Sequence, residues 1–269
     1  MQMKIHFVSG LPRSGSTLLA GILRQNPRFH AAMSGPLCSL FESLLRSMGE
    51  SNEYSMFLTG LQRERIARSM FQAFYADISE KEVLFDTNRG WCAQMAALEA
   101  LWPDARVIAC VRSPAWILDS FERMVQVAPL RRGKMFNADA SANVYTRVEA
   151  MMKSGPVGPA LQGLRQAWSG EQAGRLIVIR YESLTEQPGR VIERLYELLD
   201  EKPFLHDFEH VEYDEPEFDE RLGMPGLHKV ASRVQPNQRE TVLPADLFNH
   251  HDRSFWEVPG QNPRGVTVL

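Results

Sequence analysis

The sequence predicts an α/β fold in which a central parallel sheet is covered by helices on both faces. Four short runs, at 5–8, 83–85, 106–111 and 176–179, are nearly continuous in apolar residues and lack the alternation of a half-exposed strand. Stretches with helical spacing of apolar residues separate them, the pattern of strands joined by crossover helices. Polar and basic residues follow directly on the first three runs. In an open parallel sheet, those carboxyl ends are where ligands bind.

The first strand leads into Gly10-Leu11-Pro12-Arg13-Ser14-Gly15-Ser16-Thr17. This matches the P-loop spacing Gly-x-x-x-x-Gly-Lys-Ser/Thr, except that Ser16 stands where lysine belongs. A positive charge stands three residues earlier, at Arg13. Such a loop keeps its backbone N–H groups but lacks the lysine that reaches the β/γ-phosphates of ATP or GTP. It suits a smaller anionic terminus such as a phosphosulfate. Leu18, Leu19, Ile22 and Leu23 then continue as a helix until Asn26-Pro27.

Residues 37–48 and 61–76 read as helices rich in Leu, Met and Phe, and 83–85 as a strand running into Asp86-Thr87-Asn88-Arg89. Trp91, Met95, Leu98 and Trp102 share one helical face, closed by Pro103. After the strand at 106–111 come Arg112-Ser113, and Pro114 opens a helix at its first turn. Ser120 lies eight residues beyond Arg112. The segment 130–140 reads as a mobile loop. Arg180-Tyr181-Glu182 follows the fourth strand, and Pro188 begins an amphipathic helix carrying Val191, Ile192, Leu195 and Leu198. Residues 209–220 hold seven acidic side chains, the composition of a solvated face. The expected organisation is one domain over 1–269, with 220–269 wrapping the core.

With 269 residues, 44% of them hydrophobic and 23% charged, the chain has the material for one well-buried core. A net charge of −3 argues against a broad nucleic-acid surface while allowing local basic pockets. The three cysteines, Cys38, Cys92 and Cys110, have no Cys-x-x-Cys spacing. They point to reduced thiols in a cytoplasmic protein, without disulfides or zinc. No apolar run is long enough for a membrane span. The start runs straight into the first strand, leaving no room for a cleavable signal.

Together the motifs resemble those of sulfotransferases that use 3′-phosphoadenosine 5′-phosphosulfate (PAPS), over about residues 4–235. The resemblance implies that Pro12, Arg13, Ser14, Gly15, Ser16 and Thr17 hold the 5′-phosphosulfate. It implies that Arg112 and Ser120 grip the 3′-phosphate and that Tyr181 contacts the nucleotide. Gly226-Leu227-His228-Lys229-Val230 resembles the basic loop that closes over the donor in tyrosylprotein sulfotransferases and related bacterial enzymes. The product would be 3′-phosphoadenosine 5′-phosphate (PAP), with no metal required.

The chain departs from the family at the base. Members acting on small phenols place a histidine just after the strand corresponding to 83–86, where this sequence has none. Tyrosylprotein members place a glutamate where Met33-Ser34 stands here. Glu42 is the first candidate base, Asp86 the second and His30 the third, with Arg89 beside Arg13 as the cation facing the leaving group. The acceptor would be a hydroxyl of a peptide tyrosine, a carbohydrate or a small metabolite. The helices at 37–48 and 61–76 and the 130–140 loop would wall its pocket. The sequence leaves oligomeric state open, a homodimer included. It also leaves open a P-loop kinase-like enzyme and a non-catalytic PAP-binding module.

Overall fold

The computed structural model describes residues 3–127, 143–258 and 264–269. The segment 130–140 lies outside the described residues. In chain order the regular elements are β1 (Lys4–Gly10), α1 (Ser16–Leu23), β2 (Phe29–Ala31), α2 (Leu37–Ser47), α3 (Gly60–Phe74), β3 (Val83–Thr87), α4 (Met95–Leu101), β4 (Val107–Val111) and α5 (Pro114–Val127). They continue with α6 (Val144–Lys153), α7 (Gly158–Ser169), β5 (Leu176–Arg180), α8 (Tyr181–Glu186), α9 (Pro188–Leu198), α10 (Pro216–Leu222), α11 (Ala245–His251) and β6 (Thr267–Val268). The strands form one parallel sheet in the order β2-β3-β1-β4-β5-β6.

The apolar runs are continuous because both faces are covered. On one face Phe7, Leu84, Ala109 and Val178 meet Phe41 of α2, Phe71 of α3 and Trp168 of α7. On the other, Val8, Phe85, Ile108 and Ile179 meet Leu19 and Ile22 of α1 and Val191, Ile192 and Leu195 of α9. Successive residues of each strand serve opposite faces, as the pleat requires. Trp91 stands not on a continuous helix but on a 3₁₀ turn, Arg89–Gln94, that precedes α4. Its ring packs within 4.9 Å of Phe7 and 5.8 Å of Phe41, between centroids.

Two edge strands, β2 and β6, add to the four read from the sequence. The acidic stretch 209–220 is only partly a solvated face: Val211, Tyr213 and Asp219 within it are buried. Beyond α10 the chain crosses the carboxyl ends of the strands, and Leu243, Trp256 and Val266 then join the first core face. All three cysteines are free and buried, and burial raises the Cys92 thiol to about 11 and that of Cys110 to about 12. Among the described residues, no helix is long and apolar enough to cross a membrane.

His6 makes the fold acid-sensitive. It is buried on β1, where its Nδ1 accepts the Arg106 backbone N–H at 3.1 Å. Burial, then the charges of Lys4 and Arg106, lower its pKa to about 4 from 6.5. The unfolded chain therefore binds the extra proton first, and stability present above pH 6.5 drains away as the pH falls toward 4. The expected loss across that window is about 3 kcal/mol from this group. Urea denaturation at several pH values, with His6→Asn as the comparison that flattens the profile, checks it.

Candidate active site

A cavity of about 340 Å³ opens at the carboxyl ends of β1, β3 and β4. Its floor is the loop between β1 and α1. Gly10 (φ 101°) and Gly15 (φ 95°) take left-handed conformations that let the loop turn back on itself. Arg13, with φ 57°, holds that conformation without being glycine, at a cost of about 1–2 kcal/mol. The Ser14 hydroxyl is buried and donates to the carbonyls of Leu11 and, at 2.8 Å, Cys110. The Ser14 side chain thus ties the loop to β4 rather than facing the cavity. Pro12, Gly15, Ser16 and Thr17 line the cavity, where the first N–H groups of α1 lack partners within the helix and attract an anion.

Three arginines converge above this floor. Arg13 donates from Nε to Ser120 Oγ at 3.1 Å and from Nη1 to the Leu227 carbonyl. Arg112, at the end of β4, lies over the Tyr181 ring at 4.1 Å. Both Arg112 and Arg239 approach the Trp116 ring at 5.9 Å. Arg239 is positioned by Asp119 of α5, whose Oδ2 lies 2.7 Å from its Nη2. Asp119 is 0% exposed, forms this ion pair, and accepts hydrogen bonds from Arg123, Thr241 and the Val242 backbone. One buried carboxylate therefore pins the returning chain beside Ser120.

The cavity lining has a single sign. Among the described residues it includes Arg13, Arg89, Arg112, Lys229, Arg233 and Arg239, and no carboxylate. Burial, then the charges of Arg112 and Arg239, hold the Arg13 guanidinium below its ordinary pKa. Burial depresses Arg112 as well. The buried Nε atoms of Arg112 and Arg239 have no hydrogen-bond partner. Unpaired buried N–H groups on mutually repelling cations fit a multiply charged anion that would satisfy both deficits.

A family model described as "Sulfotransferase family" matches residues 6–204. The chain belongs to the sulfotransferase family. Among solved structures it is similar to a sulfotransferase domain from the curacin biosynthetic pathway, with 19% identity and a TM-score of 0.51 over 98% of this chain and 96% of that one. It is also similar to a sulfotransferase from Alicyclobacillus acidocaldarius, with 14% identity and a TM-score of 0.52 over 82% and 90% of the two chains. These likenesses support the fold. No curated protein matches in sequence. The family match ends at residue 204, so Leu227, Lys229, Arg233 and Arg239 complete this sulfotransferase cavity from outside the matched span.

The three residues considered as the base do not line the cavity. Asp86 turns into the core, where its carboxylate accepts from the Tyr75 hydroxyl at 2.5 Å and the Trp91 indole N–H at 2.7 Å. Both oxygens are engaged, and burial raises its pKa. His30, on β2, is half-buried with its ring edge-on to Tyr75 at 5.6 Å. Glu42 lies behind the 89–94 turn and accepts from Gln94 Nε2 at 3.2 Å. Arg89, by contrast, reaches the lining. Its turn is capped by Asn88 Oδ1 on the Gly90 N–H at 3.0 Å and joined to β1 where Ser9 Oγ donates to the Arg89 carbonyl at 3.0 Å.

The sequence reading missed Arg233, Gln235, Asn237 and Arg239, all of which line the cavity. A signal was present: polar residues at every second position mark an extended segment with one face turned inward. Asp119, in a helix that also carries Ser120, Glu122 and Arg123, gave no such sign.

Proposed function

We propose that the chain transfers a sulfuryl group from PAPS to a hydroxyl acceptor and releases PAP. The observation that supports this most directly is the convergence of Arg13, Arg112 and Arg239 on a P-loop-type turn with no carboxylate in the described lining. In this reading the N–H groups at the start of α1, with Ser16 and Thr17, take the 5′-phosphosulfate. Arg13 faces the oxygen that bridges sulfur and phosphorus, with Arg89 beside it. Sulfuryl transfer asks mainly for in-line placement and for stabilisation of charge on that leaving oxygen. Arg112 and Ser120 hold the 3′-phosphate, Tyr181 fixes Arg112 by stacking, and Lys229 covers the site.

The Arg13–Ser120 hydrogen bond bears on the reading because it links the two phosphate-binding ends directly. Ser120→Ala is expected to weaken PAP binding by about tenfold to a hundredfold, the range for a hydrogen bond to a charged group. Turnover at saturating donor should change far less. Calorimetric titration with PAP, alongside transfer of labelled sulfur from PAPS to a phenol, a tyrosine peptide and a monosaccharide, tests both. Tight binding of ATP–magnesium by a protein indifferent to PAP would refute the donor assignment. PAP binding without transfer to any acceptor would leave a binding module.

A further inference from the structure

Asp219, on α10, is 0% exposed, and both of its oxygens serve one residue. Oδ1 lies 2.6 Å from His228 Nδ1, and Oδ2 accepts the His228 backbone N–H at 2.8 Å. A carboxylate can only accept, so Nδ1 carries a proton, and in the neutral ring the lone pair lies on Nε2, on the opposite edge. Nε2 has no hydrogen-bond partner among the described residues. The ring is held edge-on to Phe218 at 5.5 Å between centroids and is 17% exposed.

His228 lines the cavity. The residue before it, Leu227, accepts from Arg13, so the imidazole stands one residue from a contact with the donor-loop arginine. The charge of Asp219 also acts on Arg13. The charged neighbours of this corner are therefore Asp219 on α10, Arg13 on the donor loop and Lys229 beside the imidazole in the chain. A buried carboxylate that fixes one imidazole nitrogen and leaves the other without a partner, on a residue that lines the cavity, is the arrangement of an oriented base.

We propose that His228 is the catalytic base and Asp219 its positioning residue. The inference rests on the donor-site reading above. The acceptor oxygen forms its bond to sulfur as the bond from sulfur to the 5′-phosphate oxygen breaks. The electron pair of the broken bond leaves on that phosphate oxygen, completing PAP. The hydroxyl proton passes to His228 Nε2 and from there to solvent.

The test pairs PAP calorimetry with PAPS turnover, using 4-nitrophenol, a tyrosine peptide, a monosaccharide and water as acceptors. His228→Ala and His228→Gln are expected to lose about 10²- to 10⁴-fold in turnover, the usual worth of a positioned base, and a much smaller factor in PAP affinity. Added imidazole should restore part of the His228→Ala rate, which a structural role would not allow. Asp219→Asn should lower turnover by a larger factor than it alters PAP affinity. Wild-type turnover in His228→Gln, or a loss in His228→Ala that imidazole does not restore, overturns the proposal. Failure of the wild-type protein to bind PAP would instead remove the donor reading, a separate outcome seen in the calorimetry alone.

Discussion

Arg13→Ala is expected to lower sulfuryl transfer by about three orders of magnitude, the cost of removing one donor aimed at developing negative charge. The guanidinium is the one positive group supplied by the donor loop itself. Its neighbours Arg112 and Arg239 come from the end of β4 and the returning chain, not from this loop. A second variant separates the charge from the backbone. Because Arg13 has φ 57°, Arg13→Gly should be more stable than Arg13→Ala by about 1–2 kcal/mol while being equally inactive. Single-turnover transfer from PAPS and urea midpoints read the two effects independently. Wild-type transfer in Arg13→Ala would remove Arg13 from the reaction.

Gly10→Ala should be a highly damaging small substitution. A Cβ there would lie 2.1 Å from the Cys110 carbonyl oxygen and 2.6 Å from its nitrogen, at a backbone φ of 101°. Neither partner can retreat, because Gly10 and Cys110 are register partners in the central β1–β4 pairing. Relief requires the strands to part and the donor loop to lift. The expected loss exceeds about 4 kcal/mol, the range reserved for strain that the core cannot absorb. The variant should show a large drop in urea midpoint, or accumulate as insoluble chain. A melting temperature equal to wild type would contradict the close approach.

Much of the architecture was legible because its signals are local. The strands at 5–8, 83–85, 106–111 and 176–179 are apolar runs bounded by polar turns. The loop between β1 and α1 carries its glycines at positions that need left-handed backbone. The eight-residue step from Arg112 to Ser120 could be read without coordinates, and the structure places Ser120 against Arg13. β2 and β6, of three and two residues, are too short to leave a periodic trace. Asp86 misled because a carboxylate at a strand end looks like a ligand, whereas the tyrosine and indole that claim it come from Tyr75 and Trp91. Asp219 misled in the opposite direction: among six other acids it reads as solvent-facing, yet it is the one turned inward to His228. Long-range polar pairs of this kind have no spacing rule, so only the fold discloses them.

The cavity is shared between residues 8–18 near one end of the sequence and 227–239 near the other. Whatever anion sits between them acts as a clasp, binding the native chain and having no comparable hold on the unfolded one. By mass action each tenfold excess of such a ligand over its dissociation constant adds about 1.4 kcal/mol to stability. Its departure is expected to loosen the returning segment before it touches the sheet. Protection of backbone amides from exchange in 227–243 would then follow donor occupancy, while protection in β1 and β4 would not. The tail becomes a gauge of the occupied state.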